Sequence, residues 1–169
     1  MSRPDLERVP PFYHNYINQV PEGSLQQALQ KHELEVIPFL ESIPADKWSH
    51  RYAEGKWTIK ELVQHLIDAE RIFNYRALCF ARRDETPLPG FDEDFYVIHS
   101  DANRRSNEEF LKELQVVQQS TIHLFNSFTE EQLEATGIAN NNPIYVKAIG
   151  YIIVGHTRHH LNIIKERYL

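Results

Sequence analysis

Apolar side chains recur every three or four residues in four segments of the chain, which is the spacing of an amphipathic helix. A serine or threonine followed three residues later by glutamine or glutamate is the capping-box pattern that starts a helix. It precedes the first three segments at Ser24, Thr58 and Ser106. Asn142 before Pro143 marks the fourth start, with proline at the first helical position. The pattern therefore predicts helices over residues 24–43, 59–83, 107–128 and 143–168.

No segment alternates with period two for long enough to predict a sheet, so the predicted fold class is all-α. Neither an internal repeat nor a low-complexity tract divides the chain. We therefore expect one helical domain over residues 1–169, in which residues 1–23 are an N-terminal extension.

The connection between the second and third predicted helices, residues 84–105, is long. It contains two prolines, a glycine and a cluster of acidic and aromatic side chains. A connection of this length is unusual in a compact bundle and is often functional. Two compatible interpretations remain open: a crossover that lets two helices run in the same direction, and a lid over a site.

Composition narrows the class of protein. With 169 residues, 41% hydrophobic and 25% charged, the chain is long enough and apolar enough for one buried core. The net charge of −6 does not favour a nucleic-acid or anionic-membrane partner. No apolar run approaches the roughly 20 residues that cross a bilayer, and the N-terminus lacks a secretory apolar region. Cys79 is the only cysteine, which excludes an internal disulfide and indicates a cytoplasmic protein.

Nine histidines against that single cysteine indicate that any transition-metal site would use imidazole. On the last helix His156 and His160 fall near the centre of the apolar stripe, whereas His159 sits roughly 80° away. Two histidines four residues apart on a buried face is the spacing by which a helix presents two nitrogens to one metal. The alternative is that each ring donates to a backbone carbonyl or a buried water.

His65 on the second helix supplies a third candidate ligand, because it lies at the edge of that helix's apolar stripe. Its alternative is a boundary histidine with one solvated nitrogen. His32 falls on the apolar side of the first helix and is a rival ligand or partner. The other histidines are weaker candidates: His123 is predicted to be solvated, and His14, His50 and His99 are predicted to lie in loops.

Other site chemistries lack their motifs. The segment KHELEV begins like a zinc-protease helix, but Val36 stands where the second histidine belongs. The chain has no Glu-x-x-His pair, no G-x-S-x-G, no phosphate-binding glycine loop and no Cys-x-x-Cys.

Three stretches in this order, KWTIKELVQHLIDAERIFNYRA (56–77), TPLPGFDED (86–94) and GHTRHH (155–160), resemble the DinB/YfiT-like superfamily of metalloenzymes. The resemblance extends over residues 24–168. It implies a four-helix bundle with a long crossover between the second and third helices, commonly a homodimer. It also implies a divalent ion, most often zinc or nickel, held by His65, His156 and His160.

Members of this superfamily include thiol S-transferases and isomerases that use low-molecular-weight thiols such as bacillithiol or mycothiol. The mycothiol-dependent isomerase branch has glutamate at the position of His156, so this chain is more similar to the all-histidine branch. The resemblance implies a small-molecule substrate.

Three neutral imidazoles leave a divalent ion its full charge and an open position, as in catalytic zinc sites. A metal-bound thiol or water is then the expected nucleophile. We expect transfer of a bacillithiol-like thiol to an electrophile, or hydrolysis of a small substrate. A metal-binding or ligand-binding stress-response bundle without turnover, and a metal-free interaction module, are the alternatives.

Two further side chains are weaker candidates for this site. Asp68, three residues after His65, would orient that imidazole or simply be an exposed helical carboxylate. Arg76, on the buried side of the second helix, would bind a cofactor carboxylate or pair with an internal acid.

Overall fold

Seven α-helices and one β-hairpin are present in residues 3–169, the part of the chain that the computed structural model describes. In chain order the elements are α1 (His14–Asn18), α2 (Leu25–Glu41), α3 (Ile59–Ala81), α4 (Glu93–His99), α5 (Asn107–Asn126), α6 (Glu130–Glu134), β1 (Thr136–Ala139), β2 (Asn142–Tyr145) and α7 (Val146–Ile163). A π-helical turn, Ile164–Tyr168, continues α7, and short 3-10 turns occupy Leu6–Arg8, Pro11–Tyr13, Ala45–Ser49 and Ala102–Arg104.

The four long helices α2, α3, α5 and α7 form the bundle, which confirms the predicted fold class. α3 packs against α5 and α7, and α2 packs against the same two helices. The predicted capping boxes at Thr58 and Ser106 are both formed, because each side chain and the glutamate three residues later exchange hydrogen bonds with the other's backbone. Ser24 caps α2 by accepting from the Gln27 amide at 3.2 Å. These caps explain why the first three helices begin where the sequence predicted.

Two hydrophobic clusters divide the core along the length of the bundle, and each long helix contributes to both. One cluster contains the hairpin residue Ile144 and the first half of α7; the other surrounds Trp48 and Phe110. Six of the buried polar residues of the long helices lie at or beside the junction of the two clusters: His32, His65, Glu70, Gln118, Thr121 and His156. A polar layer therefore crosses the middle of the bundle.

The predicted start of the fourth helix at Pro143 is wrong, and so is the expectation of no sheet. β1 and β2 form an antiparallel hairpin in which Ala139 opposes Asn142 and Ile138 opposes Pro143. Asn140 and Asn141 form its two-residue loop with φ of 49° and 61°, the left-handed conformation that such tight loops require and asparagine tolerates. The helix begins only at Val146.

The long connection, residues 84–105, is more ordered than a simple crossover. It carries α4, and its first part pairs with the hairpin, since the Leu88 amide donates to the Ile138 carbonyl at 2.9 Å and the Asn140 amide to the Leu88 carbonyl at 3.0 Å. The connection and the hairpin together cover one side of the bundle.

The segment predicted as an N-terminal extension, residues 1–23, is packed into the core over its described part. α1 contacts α7, and Ile17 and Val20 are fully buried. Gly155 on α7 allows this contact, because a Cβ at that position would overlap the backbone carbonyl of Tyr16. None of the helices in residues 3–169 combines the length and apolar character needed to cross a membrane.

Candidate metal centre

Three imidazole rings, from α3 and α7, meet in the polar layer of the bundle. Nε2 of His156 lies 3.0 Å from Nε2 of His65 and 3.1 Å from Nε2 of His160. One nitrogen from each of the three residues lies within 4.8 Å of the others. The ring centroids are 4.6–5.0 Å apart and the ring planes are inclined by 71–81°. The structure therefore brings together the three histidines that the sequence selected.

The donor set fits a divalent ion better than it fits hydrogen bonding alone. Each imidazole nitrogen has one in-plane lone pair or one in-plane hydrogen. His156 Nε2 therefore cannot make good hydrogen bonds to both neighbours at once. Tetrahedral ligands at 2.0–2.1 Å from zinc would be separated by about 3.3–3.4 Å. The two Nε2–Nε2 distances, 3.0 and 3.1 Å, are close to that separation.

All three rings are held in the neutral form that a metal requires. Burial lowers the pKa of His65 to about 4, partly opposed by the charge of Asp94. Burial also lowers the pKa of His160 to about 3, assisted by the nearby His65 and His159 rings. The pKa of His156 lies well below its ordinary value of 6.5, first through burial and then through His160 and His65. At neutral pH the nitrogens are available as ligands.

Aromatic side chains, rather than carboxylates, orient these rings. The Tyr16 ring on α1 packs edge to face against the His156 ring, with ring centroids 5.4 Å apart. The Phe73 ring on α3 packs against the same imidazole with a centroid distance of 6.2 Å. Trp57, just before α3, lies 5.0 Å from the His65 ring. Nδ1 of His160 is buried with no hydrogen-bond partner in the described part of the chain. Packing therefore fixes the geometry of the cluster.

A cavity of ≈ 260 Å³ opens directly onto the three histidines. Its other lining residues come from α1 and the turn before it, the segment just before α3, α3 itself, the long connection and the hairpin loop: Tyr13, Tyr16, Trp57, Ala69, Phe73, Arg76, Gly90, Phe91, Glu93 and Asn140. The wall is mostly aromatic, with an arginine and a carboxylate among its polar groups. Such a wall suits a small molecule with an apolar body.

Asp68 does not have the role of orienting His65. Its carboxylate accepts from Gln64 Nε2 at 2.9 Å, and no hydrogen bond joins it to His65 within residues 3–169. The pKa of Asp68 is raised, chiefly by burial. Three residues of helix leave the two side chains only about 60° apart around the axis, so the hydrogen bond from Gln64, and not helical phase, is what engages the Asp68 carboxylate.

Arg76 does lie at the site and has no internal acid as its partner. It is 4% exposed and lines the cavity with the histidines. Its Nη2 donates to the Pro89 carbonyl at 2.8 Å, so it ties the long connection to α3. Of its two predicted roles, pairing with an internal acid is contradicted: no ion pair involves Arg76 among the ion pairs of residues 3–169.

The remaining histidines do not join the cluster. His32 is buried on α2, where its Nε2 contacts Gln118 Nε2 at 3.1 Å, so its predicted part as a rival ligand is wrong. His159 packs against Tyr16 and His160 without joining the group of nitrogens. His123 is exposed, as predicted. His14 begins α1 and His99 ends α4, so only His50 of the three predicted loop histidines lies outside a helix.

Sequence reasoning missed the residues that surround the histidines. Tyr13 and Tyr16 come from the segment treated as an extension, and Asn140 comes from a hairpin that was not predicted. Trp57 donates from Nε1 to Asp94 Oδ1 at 3.0 Å, which fastens the first turn of α4 beside the cavity. The one usable signal was the acidic and aromatic content of residues 84–105, which had suggested a lid.

Comparison with known proteins agrees with the fold. A protein of Oceanobacillus iheyensis named "Putative metal-dependent hydrolase OB0413" is 32% identical over 126 residues, which cover 73% of this chain and 72% of that protein. The solved structure of YfiT from Bacillus subtilis, described as "a probable metal-dependent hydrolase with an unusual four-helix bundle topology", superimposes with a TM-score of 0.74. The match covers 84% of this chain and 82% of YfiT at 21% identity, so it is a likeness of fold.

The sequence profile of the DinB superfamily matches residues 28–164. This range includes the three histidines of the cluster and all of the four long helices except the first three residues of α2. The matched region is well over half of the chain. The protein belongs to the DinB superfamily.

Proposed function

We propose that this protein is a metal-dependent enzyme in which His65, His156 and His160 hold a divalent ion, zinc or nickel, and a small electrophilic molecule reacts in the adjoining cavity. The observation that carries the proposal is the meeting of three neutral imidazole nitrogens at the floor of an accessible cavity. A structural zinc site is normally closed by four protein ligands, whereas three ligands beside a cavity are typical of catalysis.

A divalent ion bound there would lower the pKa of a water or thiol ligand and so supply a nucleophile at neutral pH. The protein's own residues position the metal-binding imidazoles and form the cavity in which a substrate would bind. The edge contact of Tyr16 with His156 and the tilted contact of Trp57 with His65 hold the imidazoles in place. The aromatic wall excludes bulk water from the reacting groups, which strengthens electrostatic interactions inside the cavity.

Two nucleophiles are compatible with this site. The name carried by the Oceanobacillus relative supports water, and hence hydrolysis. The resemblance to thiol-using members of the superfamily supports a low-molecular-weight thiol such as bacillithiol. Both reactions would use the same three histidines and the same cavity, so one experiment with two arms separates them.

The experiment uses untagged protein stripped with a chelator and reloaded with zinc or nickel. One arm offers a panel of small esters, amides and lactones; the other offers bacillithiol, cysteine or glutathione with a chromogenic electrophile. We expect turnover in one arm that disappears on chelation, returns on reloading, and falls at least about 100-fold in His65→Ala. His123→Ala, an exposed histidine on α5, is the matched control and should retain full turnover.

If the metal-loaded protein turned over every substrate no faster than His65→Ala does, the proposal that the protein is an enzyme would be contradicted. That result would favour the alternative of a metal-binding bundle without catalysis. Absence of metal binding on reloading would contradict both.

A further inference from the structure

Arg76 is a buried cation without an anionic partner. Its side chain is 4% exposed, yet no carboxylate lies within ion-pair distance of it in residues 3–169. The two half-buried arginines in residues 3–169 are both paired, Arg105 with Glu113 and Arg158 with Glu22 at 2.7 Å. Burying a charge costs free energy unless that charge is compensated. An uncompensated guanidinium at the wall of a cavity is therefore an open binding group.

The contacts that Arg76 does make are neutral. Nη2 donates to the Pro89 carbonyl at 2.8 Å, and the guanidinium lies near the Tyr13 hydroxyl, where its charge partly offsets the rise that burial causes in the pKa of Tyr13. The guanidinium carbon lies 5.6 Å from the Phe73 ring centroid. A guanidinium has five N–H donors in a planar fork. These neighbours fix the position of the fork and leave its charge unneutralised.

The one acidic residue that lines the same cavity does not neutralise Arg76. Glu93 lies on the exposed first turn of α4 and makes no ion pair with Arg76. Asp94, beside it, accepts from Trp57. An anionic group of a ligand bound in the cavity would therefore neutralise the charge of Arg76.

We propose that Arg76 binds the carboxylate of the substrate, and that the substrate class is a small carboxylic acid with an apolar or aromatic body. This inference rests on the proposed function for what happens to the bound acid, although binding itself can be measured without metal. A guanidinium matches a carboxylate through two parallel N–H donors, which gives orientation as well as affinity.

The geometry of α3 sets the form of that acid. His65, Ala69, Phe73 and Arg76 line the cavity from successive turns of one helix. From residue 65 to residue 76 the helix rises about 16 Å. The side chains of His65 and Arg76 shorten this distance as they reach into the cavity. Even so, formate or acetate is too short to contact both residues at once. The ligand therefore places its carboxylate on Arg76, its body between Phe73 and the tyrosines, and its reacting group at the histidines.

The test compares two ligands of the same shape, 3-phenylpropionate and the neutral 3-phenylpropionamide. Binding is measured by calorimetry and ligand-detected NMR, with the protein both metal-free and metal-loaded. We expect the metal-free wild-type protein to bind the acid at least tenfold more tightly than the amide. Arg76→Gln should abolish that preference, and Arg76→Lys should retain part of it. Arg82→Gln, at the exposed C-terminal end of α3, is the matched control and should behave as wild type.

The wild-type comparison needs no substitution, so a variant that fails to fold does not remove the test. Equal binding of acid and amide to the metal-free wild-type protein would overturn the inference. So would an acid preference that survives unchanged in Arg76→Gln. Metal content is measured in parallel and should be the same in Arg76→Gln as in wild type. Loss of the acid preference with metal retained would therefore assign the carboxylate contact to Arg76, whereas a wild-type protein that takes up no metal would contradict only the proposed function.

Discussion

His156 is the residue on which the geometry of the histidine cluster depends. Its Nε2 is the nitrogen that approaches both others, at 3.0 and 3.1 Å, and it is as buried as His65, whereas His160 is half-buried. Helical phase on α7 was enough to predict that His156 and His160 face inward together. The same reasoning predicted His65 as the third ligand, because it lies at the edge of the apolar face of α3. Distances between rings on different helices could not be predicted, since they depend on how α3 and α7 are rotated against each other.

Gly155, beside His156, sets how closely α1 approaches α7. We expect Gly155→Ala to lower the free energy of unfolding by about 1–3 kcal/mol, because the new Cβ would overlap the Tyr16 backbone, which cannot move away as a flexible side chain could. The higher helix propensity of alanine offsets only part of this cost. Urea unfolding measures the change.

Gly23→Ala is the matched control, since nothing lies within 4 Å of a Cβ at that position. It should leave the unfolding midpoint within about 0.5 kcal/mol of wild type. If Gly155→Ala were as stable as Gly23→Ala, the close approach of α1 to α7 would not contribute to stability as described.

At the level of elements, strong capping signals and long periodicity made three helices predictable. Thr58 and Ser106 cap α3 and α5 with side-chain hydrogen bonds that the sequence encodes locally. The hairpin was not predictable in the same way, because each strand has only four residues and Pro143 resembles a helix start. α4 has seven residues, too few to establish a helical period.

α4 is fastened to the bundle partly by the hydrogen bond from Trp57 Nε1 to Asp94 Oδ1. We expect Trp57→Phe to speed amide hydrogen exchange over residues 93–99 by roughly fivefold, since a hydrogen bond of this kind contributes about 1 kcal/mol. Phenylalanine keeps an aromatic ring near His65, so the midpoint of global unfolding should change little.

Asp94→Asn keeps an acceptor oxygen for the Trp57 donor and should exchange nearly as slowly as wild type. Unchanged exchange over 93–99 in Trp57→Phe would show that α4 is held by other contacts. The comparison thus separates the hydrogen bond from the packing of the Trp57 ring.

At the level of the whole molecule, a polar layer between two hydrophobic clusters carries the buried titratable groups. Glu70 on α3 is one of them: it is 3% exposed and accepts from the Thr121 hydroxyl on α5. Burial raises the pKa of Glu70 from 4.5 to about 7, against a smaller lowering by the Thr121 hydrogen bond. Oε2 of Glu70 has no partner in the described structure, which is consistent with a carboxyl kept neutral.

Because the pKa of Glu70 is raised in the folded chain, the contribution of Glu70 to the free energy of unfolding falls as pH rises. Below pH 4.5 the Glu70 carboxyl is protonated in both the folded and the unfolded chain. Between pH 4.5 and about 7 the unfolded chain releases a proton that the folded chain retains, so the free energy of unfolding decreases across that window and is level above it. Glutamine does not titrate, so we expect Glu70→Gln to lack this loss of stability. The free energy of unfolding of the variant minus that of wild type should therefore increase by up to about 3 kcal/mol between pH 4.5 and pH 8.

Urea unfolding of both proteins across pH 4.5–8 measures this difference. Glu108→Gln is the control: Lys112 lowers the pKa of that exposed carboxyl below 4.5, so its difference from wild type should stay nearly constant across pH 4.5–8. A constant difference between Glu70→Gln and wild type over the whole range would contradict a buried neutral Glu70.

The homodimer and the cytoplasmic location stay predictions, and sedimentation of the purified protein tests the first. The bundle itself was predictable from periodicity and family resemblance together. The closure of the site was not predictable, because the wall of the cavity is assembled from the N-terminal segment, Trp57, α3, the long connection and the hairpin loop, which are distant in sequence.

The central claim is that three imidazoles from α3 and α7 bind one divalent ion. Elemental analysis and X-ray absorption of untagged, metal-reloaded protein test it most directly. We expect one ion per chain with three nitrogen ligands at about 2.0–2.1 Å. Substitution of His65, His156 or His160 by alanine should abolish that stoichiometry, and His159→Ala should preserve it. Full metal content in His156→Ala, or none in the reloaded wild-type protein, would contradict the claim.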